Sequence, residues 1–278
     1  MIDAHIHVVP PGLPGVGPLH PLLERPLEER ASALRREMEL AEIDQVLAMG
    51  CYQVSTMDPL GIADTLRLAE LVPGLRAIGV ADPTRADAGH LQRVEQTLAT
   101  GRVVALKGYL GYVPYGPDHP DYVPYYELAA RYKVPFIFHT GDTYSPRAKL
   151  KYAQPLLVDE VAVDHPEVRF VLAHLGNPWL LDAAEVVYKN VNVWADLSGL
   201  AVGDAATFTA PERQEMLHET AIAVRKAFQY AERPNRFLYG SDWPLVPMTA
   251  YRDFICSMIP APYQPLVFEE NARTLFRL

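Results

Sequence analysis

Cysteine is scarce in this chain: among 278 residues there are two, Cys51 and Cys256, far apart and without Cys-x-x-Cys spacing. That argues against a disulfide framework and against a thiolate zinc site, and both thiols read as small buried hydrophobes. Basic charge is also short. Twenty-five Lys and Arg face 34 Asp and Glu, for a formal charge of −9, and no basic stripe interleaves with aromatics. Nucleic acid is therefore not expected as the main partner. No apolar stretch reaches the roughly 18 to 20 residues that a membrane-crossing helix needs. The first residues lack a charged segment followed by an apolar one, so no secretory signal is expected and the expected location is cytoplasmic. No Gly-x-Gly-x-x-Gly follows the first apolar run, which weakens a dinucleotide-binding reading.

What is present is the composition of an ordinary globular protein, 49% hydrophobic and 21% charged, with enough apolar residues for a sizeable core. Apolar runs of strand length alternate with helix-period segments from end to end. Strands are predicted at about 1–8, 45–50, 76–82, 103–110, 134–140, 168–175, 191–197 and 236–242. Helical segments are predicted at Ala31 to Ile43, Pro59 to Leu71, Ala86 to Thr100, Tyr122 to Lys133, Gln154 to Asp164, Leu181 to Lys189 and Pro211 to Ala231. Such alternation implies a parallel sheet with helices outside it. Eight repeats in a chain of this length predict an α/β fold of one kind, a single closed (β/α)8 barrel domain over residues 1–278. Two Pro/Gly-rich loops, Pro10 to Pro18 and Tyr112 to Pro117, are expected to cover the barrel mouth, and the tyrosines of the second could line a pocket or pack as a lid.

Within that pattern the opening run Met1-Ile2-Asp3-Ala4-His5-Ile6-His7-Val8 is the most informative feature. A strand sends residues i and i+2 to one face, so His5 and His7 point the same way, as a chelate requires. Three later strand-like runs each end in another ligand type: Phe136-Ile137-Phe138-His139, Val171-Leu172-Ala173-His174 and Leu238-Tyr239-Gly240-Ser241-Asp242. All five residues fall at the C-terminal ends of their strands, where barrels of this class carry their chemistry. His20, His90, His119, His165 and His218 fall elsewhere and read as surface or local hydrogen-bonding residues.

Imidazole nitrogen and carboxylate oxygen suit a borderline divalent cation, zinc first, with manganese or another divalent ion as alternatives. His5, His7, His139 and Asp242 supply such a ligand set for one ion. Asp242 could also take the proton of an activated water. His174 could stabilise charge on the attacked oxygen or serve as a further ligand.

The ordered set, His-x-His on the first strand, His on the fifth, His on the sixth and Asp on the eighth, resembles the amidohydrolase superfamily, and within it the amidohydrolase-related branch called family 2. The stretches that carry the resemblance are Phe138-His139-Thr140-Gly141-Asp142-Thr143, Ala173-His174-Leu175-Gly176-Asn177-Pro178-Trp179, Tyr239-Gly240-Ser241-Asp242-Trp243-Pro244 and Glu270-Asn271-Ala272-Arg273-Thr274-Leu275-Phe276. The resemblance implies a metal-dependent hydrolase or, as in some relatives, a decarboxylase. It also implies one divalent ion held by the positions matching His5, His7, His139 and Asp242, with the match to His174 acting in catalysis.

Binuclear relatives place a carboxylated lysine or a glutamate on the fourth strand, where this chain has Lys107. Alternation turns Lys107 inward with Ala105 and Tyr109, and three roles compete for it: carbamate bridge, binder of a substrate carboxylate, or partner of a local acid. A substrate or local carboxylate is preferred over the carbamate because the family branch is usually mononuclear, and Lys107 and Tyr109 are the candidate substrate-contacting residues. Asp196 and Ser198 end the seventh strand and read as loop-fixing rather than substrate-touching. Arg147, Lys149 and Lys151 read as a solvated face that could steer an anion. Ser241 lacks a Gly-x-Ser-x-Gly elbow, so a serine nucleophile has little support.

The expected function is cleavage of an ester, lactone or amide bond in a small anionic substrate. The alternative is non-oxidative decarboxylation of an aromatic or unsaturated acid, with Lys107 or Arg147 holding the carboxylate. A third reading, a catalytically silent metal-binding interaction protein, is opposed by the presence of His174 and Asp242. A small molecule is the expected partner, and self-association into a homo-oligomer is compatible with the composition.

Overall fold

A computed structural model describes all residues 1–278. Its frame is one eight-stranded parallel sheet in which each strand pairs with the next in sequence order. The strands are β1 (Ile2–His7), β2 (Gln45–Met49), β3 (Leu75–Val80), β4 (Val103–Gly108), β5 (Phe136–Phe138), β6 (Phe170–Leu172), β7 (Val193–Asp196) and β8 (Phe237–Leu238). The sheet closes because the chain after β8 returns to β1: the Ala4 amide donates to Tyr239 O at 2.9 Å and the His7 amide to Trp243 O at 2.7 Å. A (β/α)8 barrel results, as the alternation predicts.

The helices are α1 (Leu27–Ala41), α2 (Ala63–Ala69), α3 (Ala88–Leu98), α4 (Val123–Tyr132), α5 (Leu156–Asp164), α6 (Leu180–Lys189), α7 (Ala205–Thr209), α8 (Pro211–Ala231), α9 (Met248–Met258) and α10 (Asn271–Phe276). Their apolar spacing sets their packing. In α1 the residues Ala31, Leu34, Met38 and Ala41 share one buried stripe against the sheet. The start of α3 is set by Asp87, whose carboxylate accepts the His90 amide at 3.0 Å. No helix is long and apolar enough to cross a membrane.

Apolar burial falls into two layers. The larger lies between strands and helices, and the smaller fills the barrel with Ile2, Ala4, Leu47, Met49, Ile78, Ala105, Ile137, Val171, Ala173 and Leu238. Ala272, Leu275 and Phe276 of α10 pack against this inner layer and close the N-terminal end of the barrel. The opposite end is left for polar residues. There a third small cluster, Leu13, Val54, Val80, Tyr109 and Tyr112, joins the two Pro/Gly-rich loops to the strand ends.

Several boundaries differ from the sequence reading for local reasons. The predicted helix over Pro59 to Leu71 contracts to Ala63–Ala69 because the preceding backbone is used elsewhere. Leu60 O accepts the Val80 amide at 2.8 Å, Gly61 O accepts the Cys51 amide at 2.8 Å, and the Asp58 carboxylate accepts the Ile62 and Ala63 amides at 2.9 Å each. The eighth strand ends at Leu238 rather than at 242, and α7, α9 and α10 are additions to the predicted set. His90 departs from expectation too: it is buried, packs edge-on to Tyr125, and neither ring nitrogen has a hydrogen-bond partner.

Candidate active site

The strand that carries His5 and His7 does not keep one alternation. Asp3 pairs with Val46 and Ile6 with Ala48, so β1 gains one residue over β2 between those points. Such a bulge re-aims side chains. Ile2 and Ala4 face the apolar barrel interior, and after the bulge His5 and His7 take over the inward face at the C-terminal end. Asp3 is buried beside the bulge, where its Oδ1 accepts the His5 amide at 3.1 Å and the Ser241 amide at 3.0 Å. It thereby pins β1 to the segment after β8.

That segment approaches closely because residue 240 is glycine: a Cβ there would lie 2.8 Å from the His5 Cβ. Two residues on, Asp242 adopts a left-handed backbone (φ 66°) and its amide donates to His5 O at 2.8 Å. Its carboxylate is thus turned onto the histidine pair. Oδ1 lies 3.4 Å from His7 Nε2 and 3.7 Å from His5 Nε2. Donor atoms of His5, His7 and Asp242 lie within 4.8 Å of one another, and all three residues are buried. His5 Nε2, His7 Nδ1 and Asp242 Oδ1 are buried without a hydrogen-bond partner.

His139, directly after β5, lines the same pocket but lies outside this compact trio. Its Nε2 sits 2.8 Å from Asp142 O. A carbonyl only accepts, so Nε2 carries the proton and Nδ1 is the nitrogen free to ligate. His174 follows β6 in a left-handed turn (φ 61°), with its ring 4.9 Å from that of His139 and 4.8 Å from that of His5. Lys107 and Tyr109, from β4 and just beyond it, complete the inward wall. The five predicted chemical residues and the two predicted contact residues therefore meet in one pocket at the C-terminal rim. Pro11, Leu13 and Val16 of the first Pro/Gly loop, with Tyr112 and Tyr144, form its outer wall. Arg147, Lys149 and Lys151 lie exposed outside it.

Burial shapes the charges. It lowers His5 to about 4, with the Lys107 charge acting in the same direction, and it also lowers His139 and His174. All three rings are thus neutral at pH 7, the form in which imidazole ligates a metal. For Asp242 burial acts upward, but the nearby His7, His5 and His174 outweigh it and hold the carboxyl well below the usual carboxylate range. Lys107 is 1% exposed, and its Nζ has no hydrogen-bond partner. Burial lowers its pKa to about 8 against the opposing pull of Asp196 and Asp242. No ion pair to a local acid forms, which removes one of the three roles considered for it. Tyr109 donates to Gly50 O at 3.1 Å, and its ring centroid lies 5.5 Å from Lys107 Nζ.

Asp196 has a larger part than a loop-fixing role implies. It ends β7 fully buried, and Oδ2 accepts from His5 Nδ1 at 2.9 Å, fixing which His5 nitrogen faces Asp242. Its carboxyl is held low despite burial, chiefly by His5. The sequence signal was only an acid at a strand end.

The donor set fits a divalent ion: donor atoms of His5, His7 and Asp242 converge, the His5 and His139 rings are neutral, and one ligand ring is backed by a carboxylate. Comparison with known proteins agrees with this fold. The chain resembles a zinc-bound amidohydrolase from Burkholderia multivorans at 18% identity (TM-score 0.70, covering 100% of this chain and 99% of that one). It also resembles a probable 2-pyrone-4,6-dicarboxylic acid hydrolase from Acinetobacter baumannii with citric acid bound, at 15% identity (TM-score 0.67, 100% and 99%). A 2,6-dihydroxybenzoate decarboxylase from Rhizobium matches at 15% identity (TM-score 0.64, 99% and 98%). No curated protein sequence matches significantly. The family model described as Amidohydrolase matches residues 2–278, and the chain therefore belongs to the amidohydrolase family of enzymes.

Proposed function

We propose that this enzyme is a metal-dependent hydrolase that cleaves an ester, lactone or amide bond in a small anionic substrate. The observation that carries this reading is the convergence of His5 Nε2 and His7 Nε2 on Asp242 Oδ1, at 3.7 and 3.4 Å, in one pocket with the unpartnered ammonium of Lys107. His5, His7 and Asp242 would hold one divalent ion, with His139 joining them through Nδ1. Bound there, zinc or a similar ion supplies Lewis acidity and brings the pKa of a water molecule toward neutrality.

The chain's own residues do the rest. Asp242, ionised and with one oxygen free of hydrogen bonds, accepts the proton of the attacking water. His174 lines the same pocket and is the second proton-handling group. Lys107 faces the same space and binds a carboxylate of the substrate, which supplies the anion its buried charge lacks. Tyr109 and Tyr112, edge to face at 6.4 Å, give an aromatic corner to that part of the pocket. Pro11, Leu13 and Val16 limit water access from above.

Non-oxidative decarboxylation is the second reading, favoured by the same lysine, since a buried cation can hold a carboxylate that is about to leave. The test is a panel of carboxylated lactones and esters beside aromatic and unsaturated carboxylic acids, run on zinc- and manganese-loaded protein. Acid release from the first group supports hydrolysis. Carbon dioxide release from the second, without turnover of the first, replaces it with decarboxylation.

A further inference from the structure

His5, His174 and Asp196 form a second compact group of donor atoms, all within 4.8 Å of one another. A second cation is one use for such a group. The hydrogen bonds point to another, through Ser198, a fully buried residue two positions beyond Asp196.

Ser198 Oγ lies 2.9 Å from His174 Nδ1 and 3.1 Å from His5 Nδ1, and it also donates to Asp196 Oδ1. Asp196 Oδ1 further accepts the His174 amide at 3.0 Å and the Ser198 amide at 3.0 Å, while Oδ2 accepts from His5 Nδ1 at 2.9 Å. Three of these bonds fall on Oδ1 and one on Oδ2, so the carboxylate is engaged chiefly as a hydrogen-bond acceptor. A hydroxyl has one proton and two lone pairs. The Ser198 proton goes to Asp196, so His174 Nδ1 must bring its own proton to Ser198 Oγ, while His5 shares its one Nδ1 proton between Asp196 Oδ2 and Ser198 Oγ. His174 Nδ1 has a second neighbour, Ser198 O at 3.3 Å, and a carbonyl can only accept. One proton arrangement satisfies every contact: Nδ1–H on His5 and Nδ1–H on His174.

We propose that Ser198 is a positioning residue that locks His174 in its Nδ1–H tautomer, turning an unprotonated Nε2 toward the reaction pocket. His174 then meets water or substrate as a proton acceptor and not as a hydrogen-bond donor to an attacked oxygen. Once Nε2 takes a proton, the ring retains its Nδ1–H bond to Ser198, behind which the Asp196 carboxylate stabilises the cation. The catalytic use of Nε2 rests on the hydrolase reading above, whereas the tautomer stands on hydrogen-bond geometry alone.

The test reads the tautomer directly and needs no substrate. The purified full chain is labelled with 15N-histidine, and its ring-nitrogen resonances are recorded with and without zinc; the His174→Asn protein identifies the pair belonging to His174. Expected is a protonated Nδ1 and an unprotonated Nε2 on His174 in the wild type. In Ser198→Ala the longer contact to the carbonyl remains, so the ratio of the two His174 tautomers should fall by about 5- to 10-fold, the loss of one ordinary hydrogen bond. The His5 resonances and zinc stoichiometry should hold, because Asp196 still accepts from His5. An Nε2–H tautomer in the wild type overturns the proposal, and the wild-type spectrum decides this even if the alanine variant does not fold. An unchanged His174 tautomer in Ser198→Ala removes the positioning role. A failed substrate panel alongside the expected spectra would count against the hydrolase reading alone.

Discussion

Replacing Lys107 by methionine should make the protein more stable and less active. A lysine carries a pKa of 10.5 in an unfolded chain, and burial lowers that of Lys107 to about 8. A folded value below the unfolded one means that the folded state binds the proton less well. The resulting cost is fully present below about pH 8, shrinks as the pH rises from there, and disappears above about 10.5. At about 1.4 kcal/mol per factor of ten, it amounts to about 3 kcal/mol at pH 7. Methionine fills a similar volume without the charge. With an unfolding entropy of about 2.1 cal/mol/K per residue over 278 residues, the gain corresponds to a rise in Tm of roughly 5 °C. At pH 10 the advantage should shrink to less than about 1 kcal/mol. Chelator-treated wild-type and Lys107→Met proteins, melted in parallel at pH 7 and pH 10, measure this difference. Against an anionic substrate the same variant should lose about 10- to 100-fold in kcat/KM, the worth of one charge-assisted hydrogen bond. A variant less stable than wild type at pH 7 would refute the reasoning, because it would mean that the Lys107 nitrogen has a partner or has become a carbamate.

Three further outcomes are expected. Purified protein should carry about one zinc-like ion per chain by elemental analysis, and His5→Ala should lose it, since the remaining donors are too few for tight binding; unchanged metal content in the variant would rule out the ligand set. Asp242→Asn should keep the fold and much of the metal but lower turnover by about 10²- to 10⁴-fold, because an amide can offer an oxygen but cannot accept the water proton; near wild-type rates would exclude Asp242 as the base. Asp196→Asn should weaken metal binding by about 10- to 100-fold in a chelator competition, since the carboxylate that orients His5 Nδ1 is lost; unaltered affinity would show that His5 keeps its orientation without it.

Much of the fold was legible because its signals are local. A buried parallel strand must be an apolar run, and its crossover must be helical, so eight strands and seven of the helices could be read off without any long-range contact. The positions of His5, His7, His139, His174 and Asp242 at strand ends were legible for the same reason: in a barrel every strand end faces one mouth. Other features depend on contacts between residues far apart in sequence. The bulge in β1 that turns His5 and His7 inward after Ile2 and Ala4 arises from pairing with β2, whose register no local pattern reveals. The roles of Asp196 and Ser198 depend on side chains more than 190 residues away on β1, where Asp196 accepts from His5 and Ser198 Oγ lies between two imidazoles. Lys107 could be assigned an inward direction by alternation. Whether a neighbouring acid neutralised it was decided only when the other seven strands closed around it and left its ammonium without a partner, because the energy of a buried charge is set by its surroundings in space.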